Sequence, residues 1–269
     1  MFTSGTSRLT CLLLCFGLLG GCASPWVSIP TRPGVNVNVL LAEPKTEPQG
    51  IFVVFPGGPG LITGRGGQVI EAFPRQPQLF AEHGFIIAVV DAPSDQQPRG
   101  FSDGRDFRVS KEHAEDAKKV IEFLSQKWSK PIFLLGHSSG NVSAMHVALT
   151  LKDPRIKGIV FAAFANATAD RFKVPLEEVS YPVIFIHHRD DNCTSFQLAQ
   201  ERQKRFIKSP KITFVEVLGG DRAIAVPCTP LDPGLGTSST HVFSGKELEV
   251  IKVATDWATG KEVPIRIDP

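Results

Sequence analysis

The densest chemistry in the sequence is five consecutive residues, Gly136, His137, Ser138, Ser139 and Gly140, which read G-H-S-S-G. A serine hydroxyl is a weak nucleophile until a base takes its proton and a turn presents it to a substrate. The G-x-S-x-G spacing supplies such a turn. It follows the apolar run 132–135 (IFLL) and precedes a helical pattern containing Ala, Val and Met, so Ser138 belongs on a sharp strand-to-helix turn near a positive helix terminus. Glycine flanks it on both sides because side chains there would collide with neighbouring backbone. A structural Gly-rich turn is the other reading of this stretch alone.

Three further parts stand in an order that favours the nucleophile. Phe55, Pro56, Gly57, Gly58, Pro59 and Gly60 follow another apolar run, 51–55 (IFVVF). Glycines there let backbone N–H groups approach a developing oxyanion, with the Ser139 N–H as the other donor; a plain Pro-Gly turn is the alternative. The run 183–186 (VIFI) leads into His187, His188, Arg189, Asp190, Asp191, Asn192 and Cys193, where two aspartates compete to orient a base. His241 stands immediately ahead of the last helical pattern, 246–259, and is the candidate base by order and location. His113 and His146 fall inside helical patterns, His83 falls at a helix end, and His187 and His188 lie at the acid's strand. Each of these reads as a buried, hydrogen-bonded histidine. His187, His188, Asp190 and Asp191 do not read as a metal site, because side chains alternate in direction at a strand end. Asp91 reads as a turn cap with Pro93 and Ser94.

The elements that must position these groups are legible as apolar runs. Residues 51–55, 85–90, 132–135, 159–164 and 183–186 are short, continuous and rich in branched and aromatic residues, as in parallel strands covered on both faces. Residues 212–218 predict a further strand, and 35–42 alternates like a half-exposed edge strand. Helical patterns cover 67–83, 111–128, 138–152, 196–207 and 246–259. In the second, Ala117, Val120, Ile121, Leu124 and Trp128 recur at helical spacing; in the last, Leu248, Ile251, Val253, Ala254, Trp257 and Ala258 form an apolar face. Strands alternating with helices predict a doubly wound α/β sheet, whose ligands meet the carboxyl ends of the strands.

Composition sets the outer limits. The chain has 269 residues, 42% hydrophobic and 21% charged, which excludes a disordered chain, a multi-span membrane protein, a collagen and a coiled coil. A net charge of +2, without long runs, gives no electrostatic footprint for nucleic acid.

Elbow, Gly-rich loop, late aspartate and final histidine, in the order Ser, Asp, His, resemble the α/β-hydrolase superfamily over nearly all of the chain beyond its first residues. The stretch from His187 is similar to the H-G-x-x-D segment of such hydrolases, which selects Asp191, with Asp190 in reserve. The resemblance implies a mostly parallel sheet with helices on both faces, and a triad of Ser138, His241 and Asp191. It also implies an oxyanion hole from Gly57, Gly58 and Ser139, a small-molecule acyl substrate, and neither cofactor nor metal. P-G-G-P-G is similar to the H-G-G-P-G of prolyl aminopeptidases, with Pro56 replacing their His. Those enzymes carry a helical cap, whereas only residues 165–181 separate two predicted strands here, too few for a cap domain. The loop 219–240 is longer than in typical relatives.

The N-terminus carries a separate message. Arg8 precedes an apolar and small run from Leu9 to Gly21, too short to span a bilayer but suited to a signal-peptide core. Its end, Leu19, Gly20, Gly21, Cys22, resembles the lipobox of bacterial lipoproteins, which implies lipidation at Cys22, export and a membrane anchor facing the periplasm or exterior; an ordinary secretory signal is the alternative. The expected organisation is signal peptide 1–21, tether 22–34 and α/β-hydrolase domain 35–269. With Cys11 and Cys15 removed and Cys22 lipidated, Cys193 and Cys228 remain as a pair for a disulfide in an oxidising compartment. The functional expectation is an envelope serine hydrolase acting on a carboxylic ester. A small-substrate serine peptidase and a non-catalytic binding lipoprotein are the alternatives.

Overall fold

The computed structural model describes residues 25–62, 73–101, 105–221 and 240–269. Nine strands form one sheet in the order β1-β2-β4-β3-β5-β6-β7-β8-β9. They are β1 (Trp26–Arg32), β2 (Val35–Ala42), β3 (Gly50–Phe55), β4 (Phe85–Val90), β5 (Ile132–His137), β6 (Ile156–Ala162), β7 (Val183–His188), β8 (Ile212–Val217) and β9 (Arg266–Ile267). β1 and β2 pair antiparallel, β2 pairs antiparallel with β4, and every pairing from β4 to β9 is parallel. The expected doubly wound sheet is the observed one.

The continuous apolar runs occupy the sheet centre for the anticipated reason. Side chains alternate across the sheet, so Ile51, Val53 and Phe55 enter one buried layer while Phe52 and Val54 enter the other. The first layer is closed by α2 (Lys111–Trp128) and α3 (Gly140–Leu151), the second by α1 (Gln78–Glu82) and α6 (Glu247–Ala258). In α2 the predicted stripe Ala117, Val120, Ile121 and Leu124 is buried, and Ser110 caps the helix by accepting from the His113 N–H at 3.1 Å. α3 is buried on nearly all sides, as a helix behind a central strand must be. In α6, Val250, Ile251, Ala254 and Trp257 face the sheet, but Leu248 is 53% exposed; one turn before the buried face the inward position goes to Glu247, which pairs with Arg75.

Four local elements differ from expectation. Within the expected tether 22–34, residues Trp26–Arg32 form β1, the true edge, which moves β2 one place inward. Alternation explains it: Ile29 and Thr31 are buried while Ser28 and Pro30 are exposed, and a proline is tolerated in an edge strand. Of the predicted helix 67–83, the described part is helical only over Gln78–Glu82, after Pro74 and Pro77. Between β6 and β7 an unpredicted short helix, α4 (Asn166–Arg171), and one 3-10 turn (Leu176–Glu178) occupy the excursion, with no cap domain among the described residues. The expected helix 196–207 is α5 (Phe196–Arg202) followed by a 3-10 turn. The signal peptide 1–21, Cys22 and Cys228 lie outside the described residues.

Candidate active site

Every candidate group in the described residues lies at the carboxyl ends of the parallel strands. Ser138 follows β5 with φ 51, the left-handed region, and is half-buried. Such a conformation costs a non-glycine residue about 1–2 kcal/mol, so the surroundings must impose it. A Cβ on Gly136 would lie 2.5 Å from Asn141 Cα, and one on Gly140 would lie 1.9 Å from the Phe55 carbonyl oxygen. Both glycines of the motif are therefore required by backbone contact. The Ser138 N–H donates to the Ala162 carbonyl at 3.0 Å. Asn141 Nδ2 donates to the carbonyls of Ser138 (2.8 Å), Ala162 (3.1 Å) and Ala163 (3.3 Å), binding the turn to the end of β6.

The Gly-rich loop rests against this turn. A Cβ on Gly57 would meet Ser138 Cβ at 2.8 Å and His137 Nδ1 at 3.1 Å, so only glycine permits the approach. The Gly60 N–H closes a turn onto the Gly57 carbonyl at 2.9 Å, around Gly58 at φ 52. Among the described residues the N–H groups of Gly57, Gly58 and Ser139 donate to no backbone carbonyl. Asp91, at the end of β4, accepts from the Ile62 and Ala92 N–H groups (2.8 and 3.0 Å), capping its turn as expected and tying it to the loop's far end.

Asp191 and His241 meet although fifty positions apart: His241 Nδ1 and Asp191 Oδ2 are 2.8 Å apart, both residues buried. Asp190, the reserve acid, is exposed. Asp191 Oδ1 accepts from the N–H groups of Cys193 (2.8 Å) and Thr194 (3.1 Å), and Oδ2 also accepts from Thr194 Oγ1 at 2.8 Å. Burial, the largest single influence, pushes the Asp191 carboxyl up, but the hydrogen bond and charge of His241 with the remaining donors outweigh it and hold the group well below the usual carboxylate range. Asp191 is therefore ionised at neutral pH.

His241 is placed from a second direction by a residue the sequence reading passed over. The buried His137 ring hydrogen-bonds the His241 carbonyl through Nε2 at 2.9 Å, and the two ring centroids are 4.9 Å apart. Burial first, then the neighbouring His241, push His137 down to about 3, so it is neutral and Nε2 carries the donated proton. Its Nδ1 is buried without a partner. Among the described residues, no hydrogen bond joins the His241 ring to the Ser138 hydroxyl; such contacts commonly tighten only with substrate bound.

The two histidines at the end of β7 are hydrogen-bonded around the loop that carries Asp191. His187 accepts from the Phe164 N–H through Nδ1 (3.2 Å) and donates through Nε2 to the Thr194 carbonyl (3.1 Å). His188 accepts from the Asp190 N–H (3.0 Å) and donates to the Gly219 carbonyl (2.9 Å). His146 reaches the Ser110 carbonyl at 2.8 Å, whereas buried His113 leaves Nε2 unpartnered. One ligand atom each from Asp191, Cys193 and His241 gather within 4.8 Å of one another. The carboxylate and imidazole of that group already satisfy each other, an arrangement suited to fixing a tautomer rather than to holding an ion.

Sheet order, elbow and crossover helices define the α/β-hydrolase fold, with no large cap among the described residues. An α/β serine hydrolase homologue from Coxiella burnetii is similar at TM-score 0.59 and 17% identity, over 86% of this chain and 95% of that one. Est1E from Butyrivibrio proteoclasticus gives 0.58 and 14%, over 88% and 98%. An esterase from Pyrococcus furiosus gives 0.51 and 15%, over 71% and 80%. No family model and no curated protein matches the sequence.

Proposed function

We propose that the protein is a serine hydrolase that cleaves a carboxylic ester through an acyl-enzyme intermediate. The observation that carries this reading is the 2.8 Å bond between His241 Nδ1 and a buried, ionised Asp191, on a base loop tied by its own carbonyl to the residue preceding Ser138. With Nδ1–H donated to Asp191, Nε2 is the free lone pair that accepts the Ser138 proton. Ser138 Oγ attacks the acyl carbon, and the N–H groups of Gly57, Gly58 and Ser139 receive the oxyanion. The tetrahedral species collapses as the protonated His241 gives its proton to the departing alkoxide. Water, deprotonated by His241, then attacks the acyl-serine and releases the acid. No cofactor enters this sequence of steps.

Ester chemistry is supported by an esterase among proteins of the same fold, and the half-buried Ser138 is open to a substrate. A fluorophosphonate probe tests the reading: labelling of the wild type and not of Ser138→Ala is expected, and no labelling supports a binding protein instead. Parallel assays with p-nitrophenyl acetate and aminoacyl-p-nitroanilides separate esterase from peptidase.

The location proposed for this activity is the bacterial envelope, with Cys22 lipidated after cleavage and the domain beginning within a few residues of the anchor. Among the described residues no helix is long and apolar enough to cross a membrane. A Cys193–Cys228 disulfide is proposed as a tie between acid and base loops; radiolabelled palmitate incorporation lost in Cys22→Ser, and non-reducing peptide mapping, test the two modifications.

A further inference from the structure

Arg108 stands on a 3-10 turn (Arg105–Val109) ahead of α2 and is 1% exposed, the most deeply buried cation of the described residues. No carboxylate pairs with it among those residues. An unpaired guanidinium is expensive to bury, and no part of the ester-cleaving steps above uses it. Its hydrogen bonds instead end on neutral oxygens. Nη2 donates to the carbonyls of Pro56 and Gly58, both at 3.0 Å, and Nη1 donates to Ser143 Oγ on α3 at 2.8 Å. The guanidinium also lies 4.6 Å from the centre of the Phe101 ring. Burial pulls it down to about 9, which leaves it cationic at neutral pH.

The direction of those bonds bears on the oxyanion loop. In a trans peptide the C=O and the following N–H point in opposite directions. Fixing the Pro56 carbonyl on Arg108 therefore fixes the Gly57 N–H to point away from Arg108. The next peptide is fixed independently, by the Gly60 N–H on the Gly57 carbonyl at 2.9 Å, which sets the Gly58 N–H. The second Arg108 bond, to the Gly58 carbonyl, closes the far side of the same turn. Gly60 has no room for a side chain between Phe101 and Arg108, at 2.4 and 3.1 Å from its absent Cβ, so loop and guanidinium are packed as one unit. On its other side the loop touches Ser138.

We propose that Arg108 is a positioning residue for the oxyanion hole: it holds the Pro56 carbonyl turned inward, so that the Gly57 N–H faces the acyl carbon's oxygen, braces the far side of the turn at the Gly58 carbonyl, and places a fixed positive charge behind the loop. This deepens the hydrolase reading and rests on it. Arg108 touches no reacting atom, and its effect is exerted through the Pro56–Gly57 peptide and the turn it closes at the Gly58 carbonyl.

The test compares wild type, Arg108→Met, Arg108→Lys and Ser143→Ala by p-nitrophenyl acetate kinetics, fluorophosphonate labelling and inhibition by an aryl trifluoromethyl ketone, which forms a tetrahedral oxyanion on the serine. Losing one aligned donor typically costs about 100- to 1,000-fold, so a misaimed loop in Arg108→Met is expected to lower kcat by roughly 10- to 100-fold. KM should stay within about twofold, and ketone affinity should fall by a factor similar to that of kcat. Arg108→Lys, which keeps the charge but reaches fewer carbonyls, should recover part of both. Ser143→Ala, which removes only the α3 contact, should leave kcat within about threefold. Unchanged kcat in Arg108→Met overturns the proposal, as does a kcat loss with unchanged ketone affinity. If Arg108→Met does not fold, Arg108→Lys is decisive: kcat and ketone affinity falling together at constant KM support positioning, and any other pattern overturns it. A wild type that is not labelled at Ser138 removes the hydrolase reading and the positioning role together. A labelled wild type with an indifferent Arg108 removes the positioning role alone.

Discussion

Replacing Asp191 with asparagine separates the carboxylate's geometry from its charge. The side chain accepts four hydrogen bonds, two through Oδ1 from the N–H groups of Cys193 and Thr194 and two through Oδ2 from Thr194 Oγ1 and His241 Nδ1. An asparagine of the same shape must set its carbonyl at the Oδ1 position, because two backbone donors demand an acceptor there. Its amide nitrogen then faces His241 Nδ1 and donates where the carboxylate accepted. The imidazole proton moves to Nε2, the nitrogen that receives the Ser138 proton in the proposed mechanism, and the imidazolium of its transition state loses its counter-charge. The expected loss is roughly 1,000- to 10,000-fold in kcat, equivalent to about 4–5.5 kcal/mol of barrier. KM should change by no more than a few-fold, since the buried Asp191 is bonded to His241 and its own loop. Hydrolysis of p-nitrophenyl acetate reads the loss, and a melting curve confirms that the variant is folded. Asp190→Asn is the control, expected within about twofold of wild type. An Asp191→Asn enzyme within tenfold of wild type refutes the reasoning, as would an Asp190→Asn variant that is equally impaired.

Two glycine substitutions should fail in different ways. Gly140→Ala places a Cβ 1.9 Å from the Phe55 carbonyl oxygen and should destabilise the fold by about 3 kcal/mol or more, read by thermal melting. Gly57→Ala meets Ser138 Cβ at 2.8 Å and should spare the melting temperature while lowering kcat by roughly tenfold or more through displacement of the nucleophile. His137 predicts an acid-side loss of stability. Because its folded pKa is lowered to about 3 from 6.5, the unfolded chain binds the extra proton, and stability falls as pH drops below about 6.5. At pH 5 this amounts to about 2 kcal/mol, or roughly 4–8 °C in Tm. His137→Gln should show a shallower decline between pH 7 and pH 5, and parallel curves for the two proteins would count against it. Thiol reduction should lower activity while the fold persists, if the proposed disulfide aligns the acid and base loops; unchanged activity would refute that role, the His241–Asp191, Thr240–Asp190 and His188–Gly219 bonds still joining the two loops.

The amino-acid sequence by itself determined where the sheet and its candidate site would lie. Continuous apolar runs such as IFVVF and FIIAVV can be buried only between two layers, and G-x-S-x-G between a strand and a helix admits few conformations, because its glycines are fixed by contacts only a few residues away or on the adjacent strand. Only the tertiary structure decided what depends on distant partners. Trp26–Arg32 is a strand because Val35–Ala42 lies beside it, and its Pro30 argued the other way. Asp191 rather than Asp190 faces His241 because the loop after β7 turns one carboxylate inward and leaves the other exposed. His137, Asn141 and Arg108 had the same obscurity: each acts through hydrogen bonds to backbone carbonyls, which every residue type possesses, so no spacing of side chains in the chain could announce them.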